Sequence, residues 1–193
     1  MRLVINLVLV LITAGLTWLL VSSISEPIEF KREYDKREDA VIAKLTDIRT
    51  AQEHYRGITG KFAPTFDTLK QVLTEGRFAV IKAYGDRDAI GAEAQEIKFD
   101  TTWVPARDSI KVLGLELNNI EEVPFSEGAL FKMQADTTTY QSTLVQVCEV
   151  STPRKTYMGE FADPKFQMYD KNYDPFSTIK IGDMYKPSLA GNW

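Results

Sequence analysis

From Leu3 to Ser25 the chain carries no charged residue. No other feature of the sequence limits the possible folds as sharply. Leu3 to Ile24 is apolar apart from Asn6, Thr13, Thr17, Ser22 and Ser23. At about 1.5 Å per helical residue, a run of this length reaches roughly 33 Å, enough for a hydrocarbon core of about 30 Å. Thr and Ser hydroxyls can bond back to the carbonyls of their own helix, so lipid tolerates them. Trp18 lies in the second half, where an indole approaches the headgroup layer. The sequence therefore predicts a transmembrane anchor over residues 1–25, with Leu3, Leu11, Trp18 and Ile24 among its apolar positions. The alternative is a cleaved signal peptide, with Val21 and Ser23 in small-residue positions. The uncharged run is longer than the roughly 7–15-residue core of such peptides.

Orientation follows from two opposed arguments. Arg2 flanks one end of the run, while Lys31, Arg32, Lys36 and Arg37 crowd the other. A plain count of positive charge would keep the C-terminal part in the cytoplasm, yet long domains translocate largely regardless of flanking charge. The expectation is a single-pass inner-membrane protein with a periplasmic C-terminal domain.

Beyond Glu26-Pro27 an apolar stripe recurs at Tyr34, Val41, Leu45, Ile48, Ala51 and Tyr55, at helical spacings. Pro is tolerated in a first helical turn, so Pro27 restarts or kinks the helix. Glu33 and Arg37 stand at the favourable i,i+4 spacing among alternating charges, which reads as a solvated helix face. An amphipathic stalk is expected over residues 26–57, stopping at Gly57 with Gly60 close behind. The distal end of its stripe should pack on the chain's own sheet. The proximal end should meet another chain or stay wet.

The remainder, residues 58–193, reads as one globular domain. Pro64-Thr65 opens a short helix with Phe66, Leu69, Val72 and Leu73 on one face and Gly76 as its stop. Short strands are then expected at Phe78–Ala83, Ile97–Val104, Ser109–Leu113, around Phe131–Ala135, at Ser142–Val150 and at Thr178–Ile181. Turn residues separate them, among them Gly85-Asp86, Gly114, Asn118-Asn119, Gly128 and Pro153. Helices first and strands afterwards give an α+β fold: a transmembrane helix continuing into an amphipathic helix, packed on an antiparallel sheet.

The segment Asp47 to Leu69, DIRTAQEHYRGITGKFAPTFDTL, follows this long helix with Tyr, Gly, an aromatic, Pro and a Leu-containing short helix. In that order the chain resembles the type IV pilin and type II secretion pseudopilin superfamily. The resemblance implies a long N-terminal helix laid on an antiparallel sheet and a role in envelope assembly. Pilins carry a basic leader and a Glu five residues into the mature helix. Here no leader stands ahead of Leu3 and nothing in Leu3 to Ser25 is acidic, so a permanently anchored relative is expected, not a processed filament subunit.

Composition narrows the chemistry. A net charge of −4 and a pI near 5.2 leave no basic footprint for nucleic acid. One Cys and one His exclude a disulfide framework and any Cys/His zinc cluster. There is no phosphate-binding glycine loop, nucleophile elbow or paired-histidine zinc helix in the sequence. Cys148 sits in an apolar run and reads as a small core residue, with His54 near the helix end. A hydrolase built on those two, or on paired carboxylates, is the remote alternative.

Asp170, Asn172 and Asp174 alternate like the opening of a calcium loop, with Asp163 nearby, but Pro175 stands where that loop needs Gly and Ile181 where it needs Glu. An Asx-rich turn is the first reading of these four residues and a calcium site, known for pseudopilins near this position, the second. The tail is rich in aromatics, Phe161, Phe166, Tyr169, Tyr173 and Phe176 among them; a lid folded back on the sheet is expected ahead of a protein-contact surface. No cofactor, nucleic acid or small-molecule substrate is expected. The functional expectation is a non-enzymatic assembly component of the cell envelope. It would act through the lipid bilayer, other membrane proteins and possible self-association. A membrane-anchored ligand-binding or sensor module is the alternative.

Overall fold

The computed structural model describes residues 1–84 and 98–193. It is α+β, as expected. Helix α1 (Arg2–Thr59) is followed by α2 (Phe66–Glu75), β1 (Arg77–Tyr84), β2 (Lys98–Pro105), α3 (Ala106–Val112), β3 (Lys132–Tyr140), β4 (Thr143–Pro153), α4 (Lys155–Met158) and β5 (Thr178–Asp183). Two 3₁₀ turns, Gly159–Phe161 and Pro164–Met168, lie between α4 and β5. The expected Gly85-Asp86 turn and Ile97 lie outside the described residues.

Helix α1 continues through Pro27 as one helix, as expected. It differs from its sequence reading at its end: it runs past Gly57 to Thr59, and the left-handed residue that ends it is Gly60, at φ +77°.

By contacts the chain divides into two compact units. The first comprises Met1–Ile42, Val123–Ala129 and Pro153–Thr178. The second comprises Ala43–Glu122, Leu130–Thr152 and Ile179–Trp193.

In the second unit, β1 pairs antiparallel with β2, and a three-stranded sheet has the order β3-β4-β5. β3 and β4 form an antiparallel hairpin in which Tyr140 opposes Thr143 and Ala135 opposes Cys148. Its two-residue turn, Gln141-Ser142, has φ of 48° and 65°, the mirror-image turn that matches strand twist. Ser142 was expected inside the strand and is turn instead. Gly182 of β5, at φ +78°, has no room for a side chain, since a Cβ would fall 1.9 Å from the Cys148 carbonyl oxygen. The core gathers Leu45, Ile48, Leu69, Leu73, Val150 and Ile179, all without exposure.

α2 begins and ends where expected: the Thr65 side chain caps it by accepting from the Thr68 N–H, and Gly76 closes it. The segment Ser109–Leu113, expected as a strand, is helical instead: Ser109–Val112 form the second half of α3 and Leu113 is its C-cap. Pro105 starts this helix with φ −59°, and Ala106 and Ile110, four apart, are its buried residues, while Val112 and Leu113 are exposed.

Candidate functional site: an aromatic and arginine cluster on the first helix

Among the described residues one helix, α1, is long and apolar enough to cross a membrane, and none of the apolar window that qualifies it is buried. Leu3, Leu11, Trp18 and Ile24 are all more than half exposed. Thr13 and Thr17 donate to the carbonyls of Leu9 and Thr13 at 2.6 and 2.8 Å, so both hydroxyls are satisfied within the helix.

Four residues past Glu26 the environment changes. Phe30 is buried at 1% exposure. Its ring stacks face to face on Phe166 at 4.8 Å and 4°, and meets Tyr173 edge-on at 5.1 Å and 74°. Tyr34, one turn on, stands edge-on to Tyr173 at 5.6 Å. The Tyr173 hydroxyl donates to the Phe161 carbonyl at 2.7 Å. The aromatic tail does fold back, but its ring partners are Phe30 and Tyr34 of α1, where a lid over the sheet was expected. Such ring pairs contribute about 0.5–1.5 kcal/mol each beyond the area they bury.

Charged groups close the cluster further along the helix. Arg37 Nη1 donates to the Tyr157 and Met158 carbonyls at 3.0 and 2.8 Å, which are the open carbonyls at the end of α4. Its guanidinium lies 5.6 Å from the rings of both Phe125 and Phe161, and its Nε reaches Glu33 at 3.4 Å, the pair visible in the sequence. Arg154 donates from Nε and Nη2 to Glu38 Oε1 at 3.2 and 2.8 Å, and from Nη1 to Ser177 Oγ at 2.7 Å. Both side chains of that ion pair are largely buried, at 16% and 14% exposure.

Burial sets the electrostatics here. It pushes the Tyr34 phenol well above its ordinary value, helped by the Glu38 carboxylate. It does the same at Tyr157, again with Glu38 adding to it. Tyr173 is pushed up to about 12, mainly by burial. Burial opposes the charge on Arg154, yet the hydrogen bond to Glu38, together with the Glu38 carboxylate charge and the phenols of Tyr34 and Tyr157, outweighs it and the guanidinium is held more firmly protonated. All three phenols are therefore neutral across the physiological range and serve as packing and hydrogen-bonding groups. The Tyr157 hydroxyl is buried and finds no hydrogen-bond partner among the described residues.

The expected division of the stripe is overturned. Val41, Leu45 and Ile48 are all completely buried within the chain, and Phe30, nearer the apolar run, is buried too. No proximal end is left open, because the segment after β4 covers the helix at Phe30 and Tyr34. Tyr55 is partly exposed. Phe30 was not picked out, although it stands four residues before Tyr34 in phase with the stripe. Gln52 was also missed. It has no exposure, and its amide donates to the Ala63 carbonyl at 3.0 Å and accepts from the Ala63 N–H at 2.8 Å, pinning the turn after α1.

The acidic residues of the tail each cap a local turn. Asp163 Oδ1 accepts from the Lys165 N–H at 2.8 Å, Asp170 Oδ1 from Asn172 at 2.9 Å, and Asp174 Oδ1 from Phe176 at 2.9 Å. Among the described residues, no group of three or more His, Cys, Asp or Glu comes together as a metal site. Cys148 is buried on β4, which pushes its thiol up to about 12. His54 meets the Phe78 ring edge-on at 5.5 Å. In the second unit a cleft of about 240 Å³ is lined by Arg56, Phe62, Leu144–Cys148 and Pro187–Leu189.

No protein-family model matches this chain, and no curated protein or solved structure is significantly similar to it.

Proposed function

We propose that the chain is a single-pass membrane-anchored component of a cell-envelope assembly, with its folded part in the periplasm, acting through contacts with other proteins. One observation carries the anchoring: a single helix is wholly exposed along its uncharged half and buried at Phe30, Val41, Leu45 and Ile48 in the other. Exposed Leu, Val and Ile side chains over more than 30 Å suit a lipid solvent and are unfavourable in water. Exposed Trp103, Tyr185 and Trp193 support recognition of other proteins, since interface cores favour these residues. The pilin-like reading belongs here as well, supported by the long helix, the turn at Gly60–Pro64 and the antiparallel sheet.

The test is extraction and partner recovery from the native membrane. The full chain should stay in the membrane pellet through alkaline carbonate washing and leave it only in detergent, together with defined partner proteins. Release by carbonate would sink the anchor, and purification alone from mild detergent would sink the assembly role. The sensor reading draws on the Arg56 cleft. At about 240 Å³ it is smaller than the roughly 300–1,000 Å³ of most ligand pockets.

A further inference from the structure

We propose that the 3₁₀ turn Pro164–Met168 is a second contact with the bilayer, seated in the headgroup layer beside the point where α1 leaves the hydrocarbon. The proposal rests on the membrane-anchored reading above and adds a surface to it.

The turn is fixed to α1 at that point. Glu26 is the first charged residue after the uncharged run, and Lys165 Nζ lies 3.7 Å from its Oε1. One turn further on, the Phe166 ring stacks on Phe30 at 4.8 Å. From Glu26 to Phe30 the helix rises about 6 Å. A bilayer of about 40–45 Å around a core of about 30 Å leaves about 5–7 Å for each headgroup layer. The stretch of α1 that the turn lies against is thus as long as that layer is deep.

The outward residues suit such a layer. Because Phe166 points inward onto Phe30, Pro164, Lys165, Gln167 and Met168 are exposed. Met168 is 74% exposed, and Ile28, on α1 between Glu26 and Phe30, is 64% exposed. A flexible thioether can settle among glycerol and upper acyl groups, while a lysine buries its methylenes and keeps its ammonium among phosphates. Lipid is the occupant the geometry selects, because the turn sits within one helical turn of the end of the span, where headgroups are the surrounding medium.

Phe176 supplies the internal contrast. Its ring lies 5.7 Å from Lys155 Nζ, next to Arg154, which pairs with Glu38. Glu38 is about 18 Å further along α1 than Glu26, beyond the headgroup layer. Phe176 is itself 65% exposed.

The experiment places an environment-sensitive fluorophore on a single introduced cysteine of the full chain, at Met168→Cys, Gln167→Cys, Phe176→Cys or Trp18→Cys. Cys148 is buried, and the unmodified chain, treated in parallel, gives the background. Each protein is reconstituted into phosphatidylcholine–phosphatidylglycerol vesicles carrying nitroxides either on headgroups or on acyl chains. The labels at positions 168 and 167 should lose fluorescence to headgroup nitroxides, the label at 176 should lose none, and the label at 18 should be quenched by acyl-chain nitroxides. If 18 is quenched while 168 and 167 behave like 176, the proposal falls and the anchor stands. If 18 is not quenched, the anchor falls and takes the proposal with it.

Discussion

Arg37 on the first helix donates through one nitrogen to the carbonyl oxygens of both Tyr157 and Met158, 120 and 121 residues further along the chain. That contact joins the helix that leaves the apolar span to the segment that follows the central strand β4. With Phe125 and Phe161 on its faces, the guanidinium is both a hydrogen-bond donor and a packing plate.

Arg37→Ala should therefore lower stability by about 2–3 kcal/mol, since hydrogen bonds to charged groups are worth about 1.5–3 kcal/mol and two carbonyls lose their donor. Arg37→Lys should recover little of it, because an ammonium is a point donor without a plane to stack. Urea unfolding of the full chain in detergent gives the difference, and amide exchange should rise first in residues 153–178. Full rescue by Lys would reduce the contact to simple charge.

The Glu38–Arg154 pair makes a sharper prediction. A largely buried ion pair costs about 3–5 kcal/mol when one partner is removed, whereas replacing both with apolar groups is often neutral. Glu38→Leu alone should destabilise strongly, because the largely buried Arg154 charge then loses its carboxylate partner. Glu38→Leu combined with Arg154→Met should restore most of the loss. Additive losses in the double variant would show that each residue acts through separate contacts.

These two arginines also mark where sequence reading stopped. The Glu33–Arg37 spacing was legible because both lie on one helix, and the pair is present at 3.4 Å. The reach of Arg37 to Tyr157 was not, since nothing local encodes a partner so distant in sequence. Phe30 carried a usable signal, its phase with Tyr34, but the stripe read from the sequence begins one turn later, at Tyr34. The β3 strand was legible from alternation alone: Met133 and Ala135 are the less exposed positions and Lys132 and Gln134 the outward ones. Ser109–Leu113 was expected as a strand and is helical, because Pro105 sets the entry and Ala106 and Ile110 are buried at helical spacing. A five-residue apolar segment does not separate the two periods.

Gln52→Leu tests the turn after α1. The native amide satisfies both backbone groups of Ala63 inside the core. A leucine of similar size fills the space and leaves a buried N–H and C=O unpaired, at a cost of about 1–3 kcal/mol each. The expected result is a drop of about 2–4 kcal/mol in urea unfolding, with Gln52→Glu also destabilising because a carboxylate cannot donate to the Ala63 carbonyl. A neutral Gln52→Leu would mean that the turn at Phe62–Pro64 opens to water without loss.

Tyr157 gives the last prediction, in two parts. Its hydroxyl is buried without a partner among the described residues, so removing it leaves nothing unsatisfied. Tyr157→Phe should leave stability unchanged or raise it by about 1 kcal/mol, the lower end of the cost of an unpaired buried polar group. The second part concerns alkali. Tyr173 is held up to about 12, against an ordinary 10.0, and Tyr34 and Tyr157 are displaced in the same direction. In the unfolded chain a phenol releases its proton near pH 10, while the folded chain retains it to about 12. The unfolded state then binds fewer protons, so the stabilisation is complete below about pH 10 and is lost as pH rises towards 12. Cys148, raised from 9.0 to about 12, starts the same decline slightly earlier. Unfolding free energy measured from pH 7 to 11 should be flat at first and fall beyond about pH 9, and Tyr157→Phe should make that fall shallower. A variant that loses stability at pH 7 and keeps the full alkaline slope would show that the Tyr157 hydroxyl is hydrogen-bonded and does not titrate with the cluster.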